Sequence, residues 1–312
     1  MINKDLNQYS QFFSDYTELR MQENRNNHIS MVNGDIMGNS ISSSSGVSSR
    51  VYKEGNWGFA SNPDLSDSAV EYVVKSASDN VRFMNDRNKI QCGFILPDTC
   101  GHYEMDLTTQ VSRNSQKQWI DFLKDIDSYI QKKYSHLTSR TIVLAGLDME
   151  KSLLTSSGST SYSMTPRGIM YVSLNMEKNG EPVELMDVFG GLGQLEEHFL
   201  DPTQFYSDID NLADHLLRKA DGVYADAGMK DVILDADLAG ILAHEAIGHT
   251  TEADLVLGGS VAGEYMGRQV SSELVTLIDY ANSVDGKICP VPVYIDDEGC
   301  LLYTSPSPRD RG

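Results

Sequence analysis

The sequence predicts an α+β protein, and three observations carry that expectation. Segments of helical period and of period two follow one another as helix, strands, helix, helix, strands, helix, strand, helix, strands. That order belongs to α+β domains in series, not to a doubly wound sheet. The glycine-rich stretch Gly190-Gly191-Leu192-Gly193 lacks the strand–turn–helix setting of a phosphate-binding fingerprint. The chain's 312 residues, 40% of them hydrophobic, suffice for a sizeable core shared among two or three domains.

The elements follow in order. Leu6, Tyr9, Phe12, Phe13, Tyr16 and Leu19 fall at mixed helical spacing, so residues 5–28 open with an amphipathic helix to about Met21. His28 to Asp35 is a short strand ending in an Asn-Gly-Asp turn. The serine run Ser42 to Ser45 is read as an exposed loop. Gly46 to Ala60 alternates around Glu54-Gly55-Asn56, a hairpin. A second helix opens after Asn62-Pro63, capped by Asp64 or Ser66, with Val70, Val73, Val74 and Ala77 inward. Cys92, Cys100 and His102 lie close together, but their spacing is not that of a metal site, and structural use is the reading.

Ser112 or Asn114 caps a third helix with Trp119, Phe122, Leu123, Ile126, Tyr129 and Ile130 inward. Thr141 to Ala145 is a strand. Residues 151–176 form two or three antiparallel strands about turns at Ser156–Ser159 and Thr165–Gly168, and Gly190–Gly193 is a loop. A helix spans Phe205 to Ala220 with Ile209, Leu212, Leu216 and Leu217 inward. Asp231 to Asp235 and Val270 to Asp279 are strands. These divide into an N-terminal α/β domain (1–105), a central α+β domain (106–220) and the start of a β-rich catalytic domain (221–299), the α/β regions carrying mixed or antiparallel sheets. No internal repeat is visible.

The formal charge of −20 excludes a nucleic-acid partner, since there is no basic stripe to neutralise phosphates. No run of about 18 apolar residues exists, so no membrane span is predicted. Met1 to Gln8 has no apolar core of a signal peptide. Cys92, Cys100, Cys289 and Cys300 show no CxxC spacing, and a cytoplasmic, reducing setting is the simplest.

The chemistry centres on Leu238 to His249, where His244, Glu245 and His249 interrupt an apolar segment. Such groups are costly to bury unless they pair or bind a metal. In HExxH the two histidines share a helix face, but here the spacing is HExxxH. Five residues of α-helix rotate about 500°, which leaves the two imidazoles about 140° apart. Convergence therefore needs a helix end or a wide turn, and Gly248 is the residue expected to permit it. Glu245 would then act as general base on a zinc-bound water. The plainer alternative is a pair of structural histidines partnered by Glu245 and Glu252. Three protein ligands are usual in a catalytic zinc site. Beyond the two histidines the candidates are Glu252, Asp254, Asp279, Cys289, Asp296, Asp297 and Cys300, none singled out by spacing.

His244-Glu-Ala-Ile-Gly-His249 followed by Thr-Glu252-Ala-Asp254 resembles the signature of the TldD/PmbA family of zinc metallopeptidases. Gly46 to Val51 with Gly55 to Ala60, Val270 to Thr276 with Asp279, and Asp296 to Gly299 resemble three further family motifs. The resemblance runs from about residue 15 to residue 299, and the combination is specific. It implies a TldD-type subunit, since PmbA-type (TldE) subunits lack HExxxH. It further implies zinc held by His244 and His249, Glu245 as catalytic acid/base, and hydrolysis of small, unfolded or modified peptides. The implied assembly is a homodimer, or a heterodimer with a PmbA/TldE-type partner. The family's third ligand is a cysteine downstream, in sequence expected beyond residue 299.

The tail Cys300 to Gly312 resembles the translation of a transposon-based sequencing adapter. Residues 300–312 are therefore read as non-native, and Cys300 is not taken for the ligand cysteine. A C-terminally truncated chain of this kind is expected to be inactive and to expose apolar strand edges. Two other readings stay open. One is a non-catalytic, peptide-binding scaffold subunit of such a dimer. The other is a binding module unrelated to zinc, which imidazole nitrogens more than about 6 Å apart would favour, because shared zinc needs each near 2 Å.

Overall fold

In the computed structural model the described residues are 2–87, 101–252, 255–256, 258–284, 286–296 and 302. Contacts group them into two units, Met1–Gly222 with Ala281–Gly312, and Val223–Tyr280. Antiparallel sheet and helices are combined, as the α+β expectation has it.

The first unit is built on a seven-stranded sheet. Its strands are β1 (Tyr16–Val32), β2 (Asp35–Lys53), β3 (Asn56–Asn62), β4 (His102–Asp106), β5 (Ser139–Thr155), β6 (Thr160–Lys178) and β7 (Glu181–Leu192). Their order is β3-β2-β1-β5-β6-β4, with β7 also pairing β6. Only β4 on β6 is parallel within this sheet. Three hairpins close through two-residue turns whose first residue takes positive φ: Asn33 (52°) before Gly34, Glu54 (48°) before Gly55, and Asn179 (53°) before Gly180. Positive φ at both central positions defines the turn whose twist matches the flanking strands.

Alternation puts Leu19, Met21, Ile29 and Met31 of β1 on one face. Two groups of helices cover that face. At one end α1 (Asp67–Arg87) packs Val70, Val73 and Val74 with Leu6 and Tyr9 against Leu19, Met21, Leu154, Tyr162 and Met164. At the other end α2 (Gln116–Lys133) and α4 (Tyr206–Ala220) cover Ile29, Met31, Ile142, Leu144, Met170, Val172 and Leu174. The one-turn α3 (Leu195–His198) and Phe199 join this second core. Between the two lies a polar belt. Arg25 contacts Glu150 at 2.5 Å and Glu23 at 3.0 Å, and the Tyr162 hydroxyl donates to Glu150 at 2.9 Å. Burial and the Glu150 carboxylate push that hydroxyl well above the usual phenol range.

The belt explains the first correction. Residues 5–21 are not one helix: a 3-10 turn, Asn7–Phe12, precedes β1. Leu6 and Tyr9 satisfy one helical turn, but Leu19 and Met21 alternate, and the belt residues Glu23, Arg25 and Asn27 hide that alternation farther on. Ser42 to Ser45 are exposed as expected but belong to β2, opposite Asn26 to Glu23. Thr165–Gly168 is not a turn, because β6 runs through it. Pro166 is tolerated there because it falls between the β4 pairing, which ends at Met164, and the β7 pairing, which starts at Arg167. Gly190 and Gly191 end β7 and do not form a loop. A Cβ on Gly190 would stand 2.1 Å from the Gly168 carbonyl oxygen, so glycine permits this close strand pairing.

The α1 start is as read, with Asp64 accepting from Ser66 and Ser66 receiving the Ala69 and Val70 amides. In α4 Leu216 is buried while Leu217 is 39% exposed. The cap of α2 is Ser115, one residue past Asn114, in a capping box with Gln118. Ser115→Ala should destabilise the first unit by about 1 kcal/mol, read as a lower urea midpoint at unchanged slope. Cys92 and Cys100 lie outside the described residues. A small hairpin, β8 (Ser283–Val284) and β9 (Lys287–Ile288), precedes Tyr294, which stacks on Tyr103 at 5.2 Å between ring centroids. Among the described residues no helix is long and apolar enough to cross a membrane.

The second unit contains α5 (Ala236–Ala243), a π-helical turn (His244–Gly248), α6 (His249–Thr251) and a 3-10 turn (Val261–Tyr265). Asp231–Asp235 and Val270–Asp279 are not strands. A strand needs a neighbour to take its backbone hydrogen bonds, and no described strand pairs with either; Ile233 is 99% and Leu274 95% exposed.

Candidate metal centre

Asp235 starts the helix that carries the site, its carboxylate accepting the Leu238 amide at 2.8 Å. Regular α-helix lasts to Ala243. The His249 amide then bonds the His244 carbonyl, five residues back, and closes the π turn. As an i→i+4 bond sets i beside i+4, an i→i+5 bond sets i beside i+5. The wide turn thus joins the two residues whose spacing was wrong for an α-helix.

The rings respond accordingly. His244 and His249 have centroids 4.3 Å apart at an interplanar angle of 66°. One ligand atom from each of His244, Glu245 and His249 lies within 4.8 Å of the others, and all three residues are exposed. Nitrogens at 2.0–2.1 Å on one tetrahedral zinc stand roughly 3.4 Å apart, so the cluster needs little closure to share an ion. Two imidazoles and a carboxylate are donors that zinc accepts, and the residues fit the metal that the sequence pattern implies.

Gly248 plays a different part from the one expected. Its φ of −50° is ordinary helical backbone, so the wide turn does not need glycine's left-handed freedom. Instead, a Cβ there would touch His244 Nδ1 at 3.6 Å. Bonded back onto the turn is Thr250-Thr251, which sequence reading passed over. The Thr250 hydroxyl reaches the carbonyls of Ala246 (3.2 Å) and Ile247 (3.0 Å), and that of Thr251 reaches Ile247 (2.9 Å) and Gly248 (3.0 Å). Threonine hydroxyls bonding back three and four residues commonly accompany a bend in a helix. Two adjacent threonines just after the spacing defect were the available signal.

Of the further ligand candidates, Glu252 bonds His249 Nδ1 through Oε1 at 2.6 Å. Asp254, Asp297 and Cys300 lie outside the described residues. Asp279, Cys289 and Asp296 are not in the cluster, and among the described residues no other three such groups converge.

Two family models match the chain: PmbA/TldA metallopeptidase domain 1 over residues 17–81, and the PmbA/TldA metallopeptidase C-terminal domain over residues 227–304. A metalloprotease of Methanocaldococcus jannaschii is 29% identical over 294 residues, covering 91% of this chain and 62% of its own length. A zinc metalloprotease TldD homolog of Saccharolobus solfataricus is 24% identical over 264 residues, 81% of this chain and 54% of its own. The chain thus spans little more than half the length of such relatives. Among solved structures, TldE from Thermococcus kodakarensis aligns with a TM-score of 0.62 at 15% identity, over 95% of this chain and 64% of that one. A candidate modulator of DNA gyrase from Bacteroides thetaiotaomicron aligns at 0.65 and 14% identity, over 94% and 66%. At such identities these two likenesses concern the fold.

Proposed function

From the premise that the chain belongs to the PmbA/TldD metallopeptidase family, we propose that it is a TldD-type subunit of a zinc peptidase. His244 and His249 hold the metal, and Glu245 is the catalytic acid/base. The observation that carries this reading is the π turn, which brings two imidazoles and a carboxylate within 4.8 Å despite a spacing unsuited to an α-helix. The Saccharolobus relative, a zinc metalloprotease TldD homolog, supports zinc in particular.

Bound zinc supplies Lewis acidity, polarising a peptide carbonyl and making a water more acidic. The protein's own part is proton transfer and placement. Glu245 takes a proton from the attacking water and returns it to the departing amine, a task that its position decides. Its exposure leaves it open to a substrate. A third ligand completes the centre in the protein at its relatives' full length, and the cysteine implied by the family resemblance is the candidate. The catalytic domain then begins in residues 221–299, after domains 1–105 and 106–220. The substrates are small, unfolded or modified peptides, hydrolysed in the cytoplasm. The fold shared with TldE supports a dimer with a like subunit or a PmbA/TldE-type partner.

Metal analysis tests the centre. The protein at its relatives' full length should carry zinc stoichiometrically by plasma mass spectrometry, and His244→Ala should lose it. Wild-type protein without metal after loading and desalting would sink the reading.

A further inference from the structure

We propose that Glu252 is a positioning residue for His249: its carboxylate accepts the Nδ1–H of the imidazole and so leaves Nε2 as the unprotonated donor. The inference rests on the zinc-site reading above, and it assigns the site a fourth member with a distinct task.

The geometry is specific. Oε1 of Glu252 lies 2.6 Å from His249 Nδ1, a charge-assisted distance. Helix α6 ends at Thr251, and Glu252 turns to extended backbone, φ −57° and ψ 133°, three residues after the histidine it meets. The neighbouring Thr250 and Thr251 hydroxyls bond back onto the carbonyls of Ala246, Ile247 and Gly248. Glu252 instead engages the imidazole.

Stability does not explain the pair. The two side chains are 47% and 49% exposed, and a pair so open to solvent contributes little to stability. Orientation does explain it. A neutral imidazole free in water carries its proton mainly on Nε2, the tautomer with the wrong nitrogen free. A carboxylate on Nδ1 selects the opposite tautomer and fixes the ring, the arrangement that ligating histidines commonly use.

The test uses this chain with Glu252→Ala and Glu252→Gln, the amide oxygen of Gln still being able to accept. With 15N-labelled histidine and no metal, at a pH where the imidazole is neutral, wild type should show His249 protonated on Nδ1. Glu252→Ala should revert to the Nε2–H form, and Glu252→Gln should keep Nδ1–H. In the protein at its relatives' full length, chelator competition with zinc should show affinity about 10- to 100-fold weaker for Glu252→Ala and largely rescued in Glu252→Gln. With cobalt(II) as probe, the visible spectrum of Glu252→Ala should change. A His249 tautomer identical in wild type and Glu252→Ala would overturn the proposal, whatever the metal does. Zinc bound by neither wild type nor variants in the protein at its relatives' full length would overturn the zinc reading instead, and the tautomer result would still decide whether Glu252 sets the ring.

Discussion

Replacing Glu245 by Gln should lower peptide hydrolysis by about 10²- to 10⁴-fold, the range over which a positioned general acid/base contributes. The zinc content should stay unchanged. Gln keeps the size of the side chain and one oxygen but cannot take a proton. That loss amounts to about 2.7–5.5 kcal/mol of transition-state stabilisation. If Glu245 acts only in the transition state, kcat and kcat/KM fall together and KM hardly moves. The measurement is steady-state hydrolysis of a short fluorogenic peptide by protein at its relatives' full length, with metal analysis on the same sample. Glu245 lies inside the same 4.8 Å cluster as the histidines, so it could itself be a ligand. Zinc lost along with activity would assign it that role. Zinc kept with undiminished activity would remove it from the chemistry.

What could be read from the sequence, and what could not, follows from which physical signals were local. The turns at Asn33-Gly34 and Glu54-Gly55 are chemical necessities of two-residue hairpins and were legible. So were α1 and α2, whose buried residues keep helical spacing over about three turns. Strand β1 was not. Its inward residues are apolar at both ends and charged in the middle, where Arg25 meets Glu150 from a strand more than a hundred residues away. Alternation that depends on such a partner is invisible until the partner is placed. Strand β6 was misread at Pro166 for a similar reason, because only the sheet order shows that one edge is unpaired at that residue.

The metal centre divides in the same way. His244, Glu245 and His249 were legible as a group, and the spacing itself announced a departure from α-helix. The means of that departure was not foreseen. Glycine seemed the natural agent, yet Gly248 keeps helical dihedrals, and the two threonines after it bond back onto the carbonyls of the turn.

Asp127→Ala should destabilise the first unit by about 3–5 kcal/mol, the cost of leaving a buried charge without its partner. Asp127 on α2 and Arg140 at the start of β5 form a two-pronged pair, Nε to Oδ1 at 2.6 Å and Nη2 to Oδ2 at 3.1 Å, with side chains only 8% and 11% exposed. The pair also steadies the first hairpin. Arg140 donates its amide to the Asn33 side chain and accepts the Asn33 amide, both at 3.0 Å, and a Cβ on Gly34 would stand 3.1 Å from Asp127 Oδ2. Helix, strand and turn therefore meet at one ion pair. Arg140→Ala should cost a similar amount. The double variant Asp127→Leu with Arg140→Met should cost far less than the two single losses combined, because it removes both charges and fills the space with apolar groups. Urea unfolding followed by tryptophan fluorescence reads this, since Trp119 is buried in the core beneath α2. A single-variant loss under about 1 kcal/mol would mean that the pair behaves as a solvated surface bridge. The clasp would then hold through the two Asn33–Arg140 hydrogen bonds alone.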